Sequence, residues 1–354
     1  MPETTPRYAR QVRCEAIGEA GQARIRAATV LQVGCGALGT VQAELLVRAG
    51  VGKLIIVDRD VVELSNLQRQ ICFDEDDARA RRPKAEAAAA RLRRVNAEVV
   101  IEPHVTHLTP GNIRDFVGQA DLVMDATDNF ETRYLINDAC VEAGIPWIYG
   151  GVLGMEGTVM PVRPGVGPCF RCLIPTAPDS SKLPTIAEVG VLSTTVTTVA
   201  SAQVTLALSA LVNFEALDCA VRVLDVWAGS MRRIPLKRNP DCPCCGRREF
   251  PFLGGGPAGG GPAPDHTVMW ARNAVMFHLR PDAATHEVWT RALLTAGGCH
   301  PNDGVWELAA TDPAGAPHTI TLFSDGRALV SDTRDPDLAR DLWRDLVGGV
   351  DNSA

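Results

Sequence analysis

The feature that most constrains this chain is a glycine loop set between a strand and a helix, Gly34-Cys35-Gly36-Ala37-Leu38-Gly39. The β-forming run Thr29 to Val33 precedes it, and the helical pattern Leu38 to Ala49 follows it. Glycines let the backbone approach a phosphate, and a helix amino terminus leaves N–H groups without internal partners. The next predicted strand, Lys53 to Val57, ends at Asp58, whose carboxylate is placed to accept hydrogen bonds from ribose hydroxyls. Alone, the loop indicates an adenine nucleotide and fits a dehydrogenase equally well; a plain tight turn also satisfies it.

Strand and helix signals keep alternating. A helix is expected over Pro83 to Asn96, strands over Val99 to Ile101 and Leu122 to Met124, a helix over Phe130 to Ala143, and a strand over Trp147 to Tyr149. Such order predicts an α/β protein, Rossmann-like, with a mainly parallel sheet covered by helices on both faces. Ligands of such sheets sit at the carboxyl ends of the strands.

The polar run after Asp58 narrows the nucleotide. Hydride transfer needs no cations beyond the pyrophosphate clamp, whereas displacement at the α-phosphate of ATP must offset the charge of leaving pyrophosphate. Arg69 and Lys84 can supply that charge. Lys84 follows Pro83 in a first helical turn, where the macrodipole disfavours a cation unless an anion faces it. Asp125-Ala126-Thr127-Asp128-Asn129 ends another strand at the same sheet edge, where a carboxylate can hold Mg²⁺ or cap the following helix.

Two C-x-x-C pairs, Cys169/Cys172 and Cys242/Cys245, supply the four thiolates of a tetrahedral structural Zn²⁺ site. Their long separation would clamp the end of the domain to its middle. Two independent redox or inert pairs are the alternative. The other scattered cysteines, Cys14, Cys35, Cys72, Cys140 and Cys219, read as buried small hydrophobes. His104 and His107 have no third ligand nearby and read as surface or packing residues. A net charge of −7 gives no support to a nucleic-acid or anionic-membrane partner. The uncharged stretch Val189 to Val212 carries too many hydroxyls for a membrane span and reads as a buried helix. With no apolar leader at its amino terminus, the chain reads as cytoplasmic.

From Pro251 to Pro264, ten of fourteen residues are Gly or Pro, which predicts a linker between an ATP-binding domain (1–250) and a small α/β accessory domain (265–354). In the latter we expect a strand over Val268 to His278 and a helix over Thr285 to Thr295. Strands over Gly304 to Ala309, His318 to Phe323 and Arg327 to Val330 follow, then a helix over Pro336 to Val347.

Together, Arg7 to Gln11, the glycine loop, Asp58, Ser65 to Gln70, Pro83-Lys84, Thr127 to Asn129, Met155-Glu156-Gly157 and the cysteine pairs closely resemble the MoeB/ThiF family, bacterial relatives of the ubiquitin-activating enzymes. The resemblance covers about residues 5–250. It implies adenylation of the C-terminal glycine of a ubiquitin-fold sulfur carrier ending in Gly-Gly. Carried over residue by residue, Gly34, Gly36 and Gly39 cradle ATP and Asp58 binds ribose. Asn66, Arg69, Gln70 and Lys84 take the phosphates, and Asp128 takes Mg²⁺. Arg10 reaches into a second subunit, which implies a homodimer.

Two departures matter. Where relatives often carry a cysteine after a threonine, Thr185 is followed by Ile186, which cannot form a thioester or persulfide. The chain is therefore expected to stop at the adenylate or to pass it to an external sulfur donor. Around Cys299, the sequence lacks the loop of the rhodanese domain that many relatives carry. The carrier and pathway stay open: thiamin or molybdopterin synthesis, protein conjugation, or natural-product sulfur chemistry.

Overall fold

In the computed structural model the described residues are 6–178, 186–254, 266–269, 274–278, 305–323 and 327–347. The chain divides into two compact units, Met1–Asp179 with Val189–Gly261, and Ser180–Glu188 with Pro262–Ala354.

The first unit is built on strands β1 (Thr29–Val33), β2 (Lys53–Val57), β3 (Val100–His104), β4 (Leu122–Asp125), β5 (Trp147–Leu153), β6 (Glu156–Val162), β7 (Val221–Asp225) and β8 (Ser230–Ile234). They form one sheet in the order β3-β2-β1-β4-β5-β6-β7-β8. The first five are parallel and the last three antiparallel. Chain order runs outward from β1 to β3, then returns to place β4 on the other side of β1. The loops after β1 and β4 therefore diverge at this switch point and leave a crevice at the strand ends.

Side chains alternate across the sheet and divide its core in two. Val30, Leu54, Ile56 and Met124 face one cluster with helices Ala37–Ala49, Lys84–Val95 and Ser193–Val212. Leu31, Ile55, Val57 and Val123 face the other, with helix Phe130–Ala143 and the cysteine-rich end. Helices thus cover both faces, as expected. Among the described residues, Ser193–Val212 is the one helix long and apolar enough to cross a membrane, and half of its apolar window is buried in this fold. Its Gln203 donates to the carbonyls of Asp125 and Ile148 and accepts from Gln42, a buried amide network that only a sheet-packed helix can satisfy.

The sequence expectation stopped at Tyr149, but β5 runs on to Leu153 and turns back into β6. Gly150 and Gly157 permit this: a Cβ on either would collide with Gln203 or Val199 of the covering helix. The expected linker also begins too early. Phe252 and Leu253 are buried in the first unit, and the Phe252 ring stacks on Tyr134 at 4.7 Å.

In the second unit, β9 (His266–Met269), β10 (Ala274–His278), β11 (Val305–Thr311), β12 (Pro317–Phe323) and β13 (Arg327–Ser331) form an antiparallel sheet in the order β11-β12-β13-β10-β9. Helix Pro336–Val347 packs on it through Ala339, Leu342 and Trp343. The single strand expected over Val268 to His278 is two strands that pair with each other. The helix expected over 285–295, and Cys299, lie outside the described residues.

Candidate nucleotide site and thiolate knot

The glycine loop leaves β1 at Gly34, whose φ of +93° suits glycine. Its N–H donates to Val57 O at 2.8 Å. A Cβ there would lie 2.6 Å from Ala126 O, so the loops after β1 and β4 touch. Gly39 packs its helix against the Gly34 carbonyl, again with no room for a side chain. Helix Ala37–Ala49 has Gly36 at its N-cap and no side-chain cap, leaving its amino terminus open to an anion. Facing Gly36 is Gln70, buried, with its amide oxygen unpartnered and its Nε2 3.8 Å from where a Cβ of Gly36 would stand. These residues fit a phosphate cradle.

Asp58 ties the loop to the end of β2. Its Oδ2 accepts from Cys35 N at 2.5 Å and its Oδ1 from Asp60 N at 2.7 Å. Burial, then the charge of Asp60, raises its pKa, and Lys84 opposes that rise. Lys84 begins helix Lys84–Val95 and is 3% exposed; its N–H donates to Asp60 O, and its Nζ lies 3.3 Å from Asp60 Oδ2. A lysine at a helix start is thus held by an acid from the neighbouring strand end, a partner the sequence reading missed. An acid two residues beyond Asp58 was the available signal.

The polar run folds back onto the loop helix, because Ile71 N donates to Thr40 Oγ1 and Gln70 N to Asn66 O. Asn66 is buried, its Oδ1 closing a capping box with Glu63 N. Arg69 donates to Ser65 O at 2.9 Å. At the end of β4 the capping residue is Asn129, whose side chain accepts from Thr132 N, and not Asp128. Asp128 is exposed, its Oδ1 meeting Asn129 Nδ2 at 3.5 Å and its charge felt by Arg133, so its carboxylate suits a cation.

Beneath this loop lies a pair that sequence reasoning also missed. Asp125 is wholly buried and accepts from Thr127 N and Oγ1; Arg133 donates to it from Nε at 3.3 Å and to Thr127 O from Nη2 at 2.7 Å. Burial raises the Asp125 pKa against the pull of Arg133. The strand-end carboxylate therefore braces the loop, while Asp128 is presented outward.

Arg10 is not brought to this corner of its own chain. Its neighbours Tyr8 and Gln11 pack at Gly50 and Ala49, the far end of the loop helix, about 20 Å from the glycines at 1.5 Å per residue. His104 and His107 also separate, His104 bonding Glu102 and edging Phe116, His107 meeting Arg59. Of the five scattered cysteines, Cys35, Cys72 and Cys140 are buried; Cys219 is partly buried, and Cys14 is exposed, contrary to expectation. Ile186 opens a short helix, Ile186–Val189.

At the opposite end of the first unit, Cys169, Cys172, Cys242 and Cys245 bring their sulfurs within 4.8 Å of one another. Cys169 and Cys242 are 3.6 Å apart and Cys172 and Cys245 3.5 Å. A tetrahedron of thiolates at about 2.3 Å from zinc has edges of about 3.8 Å, so this set fits the metal. Asn137 braces the knot, donating to Cys244 Sγ and accepting from Phe170 N.

A doubly wound α/β unit with an open phosphate loop, a buried lysine beside it and a four-thiolate knot defines a nucleotide-binding protein of the Rossmann-like class. The chain belongs to the ThiF family, which it matches over residues 8–244. It is 37% identical over 359 residues to the sulfur carrier protein ThiS adenylyltransferase of Bacillus subtilis (strain 168), covering 97% of this chain and 100% of that one. Over 241 residues it is 42% identical to the SAMP-activating enzyme E1 of Haloferax volcanii, covering 68% of this chain and 88% of that one. The fold is also that of E. coli MccB crystallised with ATP, at a TM-score of 0.60 and 20% identity over 69% of this chain and 75% of that one.

Proposed function

We propose that this chain is an adenylyltransferase that activates the C-terminal glycine of a ubiquitin-fold sulfur carrier ending in Gly-Gly. The observation that carries the reading is the buried Lys84, held by Asp60 beside the Asp58-anchored glycine loop. Such a cation suits a triphosphate better than a dinucleotide.

A carrier carboxylate oxygen attacks the α-phosphorus of ATP, the bond to the bridging β-phosphate oxygen breaks, and pyrophosphate leaves. An acyl-adenylate remains for later sulfur transfer. Gly34, Gly36 and Gly39 let the backbone reach the phosphates, and Asp58 orients the ribose. Gln70 and Asn66 line the phosphate path, and Arg69 and Lys84 offset the charge developing on pyrophosphate. Asp128 is the group that would hold Mg²⁺, which neutralises phosphate charge when bound. Arg10, remote from its own site, serves the site of a second copy, making the working unit a homodimer. Zn²⁺ on Cys169, Cys172, Cys242 and Cys245 is structural. With Ile186 at the expected thiol position, sulfur comes from an external donor.

ATP–pyrophosphate exchange that depends on a Gly-Gly-ending carrier tests the reading. Asp128→Asn should lower exchange by about 100-fold or more with an unchanged melting temperature. Exchange without any carrier, or none with any, would refute it. The similarity to the Haloferax enzyme favours a second reading, activation for protein conjugation. A DTT-sensitive covalent enzyme–carrier adduct in mass spectra would support that one and overturn the adenylate-only chemistry.

A further inference from the structure

Arg171 stands between the first pair of knot cysteines, in the short helix Phe170–Leu173. Its Nε and Nη1 are both buried and neither has a hydrogen-bond partner, which makes it the one arginine among the described residues with two such nitrogens. The guanidinium lies over the Phe252 ring, 5.9 Å from its centroid. Asp138 and Glu249 are near enough to feel its charge, yet Asp138 Oδ2 accepts from Phe252 N and Glu249 engages Arg247 through both oxygens, at 2.9 and 3.2 Å. Buried cationic N–H groups left without acceptors are strongly unfavourable, so these two call for an acceptor that the fold does not supply.

That acceptor has a place to stand. Arg171 lines a cavity of about 520 Å³ together with Pro243, Arg247, Glu249, Phe250 and Pro251. Such a volume suits a small molecule. Pro243 lies inside the second cysteine pair as Arg171 lies inside the first, so the cavity spans the seam where the two pairs meet. Arg247 and Glu249 cancel across its wall, which leaves the single positive charge of Arg171. One positive charge is balanced by a carboxylate and exceeded by a phosphate. Phe250, Pro243 and Pro251 add flat apolar surface, which suits a planar hydrocarbon body behind that carboxylate. None of these residues belongs to the nucleotide corner.

We propose that this cavity binds a small planar carboxylate, such as an aromatic acid, whose oxygens take the unpartnered N–H groups of Arg171 while its body rests against Phe250 and the two prolines. The test uses the full chain, assayed for zinc, and benzoate as the probe, with binding followed by saturation-transfer NMR on the benzoate signals. Benzyl alcohol, which lacks the charge, and inorganic phosphate, which carries more of it, should each bind at least about tenfold more weakly. Arg171→Met should weaken benzoate binding by about thirtyfold or more. Arg171→Lys, which keeps the charge and loses the planar fork, should weaken it less. Because Arg171 stands among the knot cysteines, a second variant keeps the test decisive should Arg171→Met misfold. Phe250→Glu leaves the guanidinium in place and sets a carboxylate of the chain's own beside it, so it should exclude benzoate with zinc content unchanged. Benzoate binding that persists in a folded Arg171→Met or Phe250→Glu protein overturns the site. So does benzyl alcohol or phosphate binding as tightly as benzoate, or a wild type that binds no benzoate, because solvent then satisfies Arg171.

Discussion

The nucleotide corner neutralises its own charges, whereas the thiolate knot does not. At the first, Lys84 sits against Asp60 and Asp58, and Arg133 against Asp125, so each buried acid has a cation supplied by the fold. At the second, four sulfurs converge from segments 73 residues apart, with Arg247 acting on Cys242 electrostatically from the surface and no buried cation among the hydrogen-bond partners of the described sulfurs. The first region is formed before its ligand arrives. With zinc in the proposed role, the second would owe its cohesion to the ion, because four thiolates at this spacing repel one another until a metal takes their charge.

The sharpest way to break this contrast is to take the metal away. Chelation, or Cys242→Ser, should destabilise the first unit by more than about 4 kcal/mol, seen as a large fall in melting temperature. The loss should centre on helix Phe130–Ala143, whose outer face holds Phe170, Cys244 and Phe252 through Asn137, Asp138 and Tyr134. Zinc content by mass spectrometry gives the stoichiometry. A chain that melts identically after complete chelation holds two inert cysteine pairs, and the knot contributes nothing.

The next effect sharpens the other side. Lys84→Met should lower pyrophosphate exchange by roughly 10²- to 10³-fold. It also removes the cation that holds down the Asp58 pKa, leaving burial and Asp60 unopposed, so that pKa climbs further. A raised folded pKa means that stability from this carboxyl is greatest at low pH and is lost as pH rises through the folded value. In the role proposed for Asp58, where ribose hydroxyls would donate to the carboxylate, nucleotide binding has the opposite slope. In the variant, affinity for ATP should therefore fail at a higher pH on acidification than in wild type. Coincident acid limbs for the two proteins would show that Lys84 does not set the charge state of Asp58.

How each region was legible in the sequence follows from the same contrast. The glycine loop, β1, β2 and β4 announce themselves because local spacing encodes them, and the cysteine pairs because C-x-x-C is a local motif whatever the distance between copies. What stayed hidden is long-range. β6, β7 and β8 follow Gly150, Gly151 and Gly154, which read as loop until the helix Ser193–Val212 is packed on the sheet and its Gln203 fills the space that a side chain at Gly150 would need. β8 is exposed along its length, so no alternation marks it. The pairing of Lys84 with Asp60 spans 24 residues, and the bracing of Asp125 by Arg133 makes the first acid of that strand end a scaffold residue.

The smallest effect concerns a single position at the strand end, and it separates scaffold from chemistry. Asn129 caps helix Phe130–Ala143 by accepting from Thr132 N at 2.9 Å, which frees Asp128 from that task. Asn129→Ala should cost about 1 kcal/mol, a fall of roughly 2–4 °C for a unit of this size. Its effect on exchange should be only a few-fold, through a slacker Asp128 loop, and raising Mg²⁺ should restore most of it. Asp128→Ala should do the reverse, leaving melting unchanged and activity unrecovered by Mg²⁺. If instead Asp128→Ala lowers melting and Asn129→Ala does not, the two residues exchange roles, and the outward carboxylate at this strand end is a helix cap with no part in binding the cation.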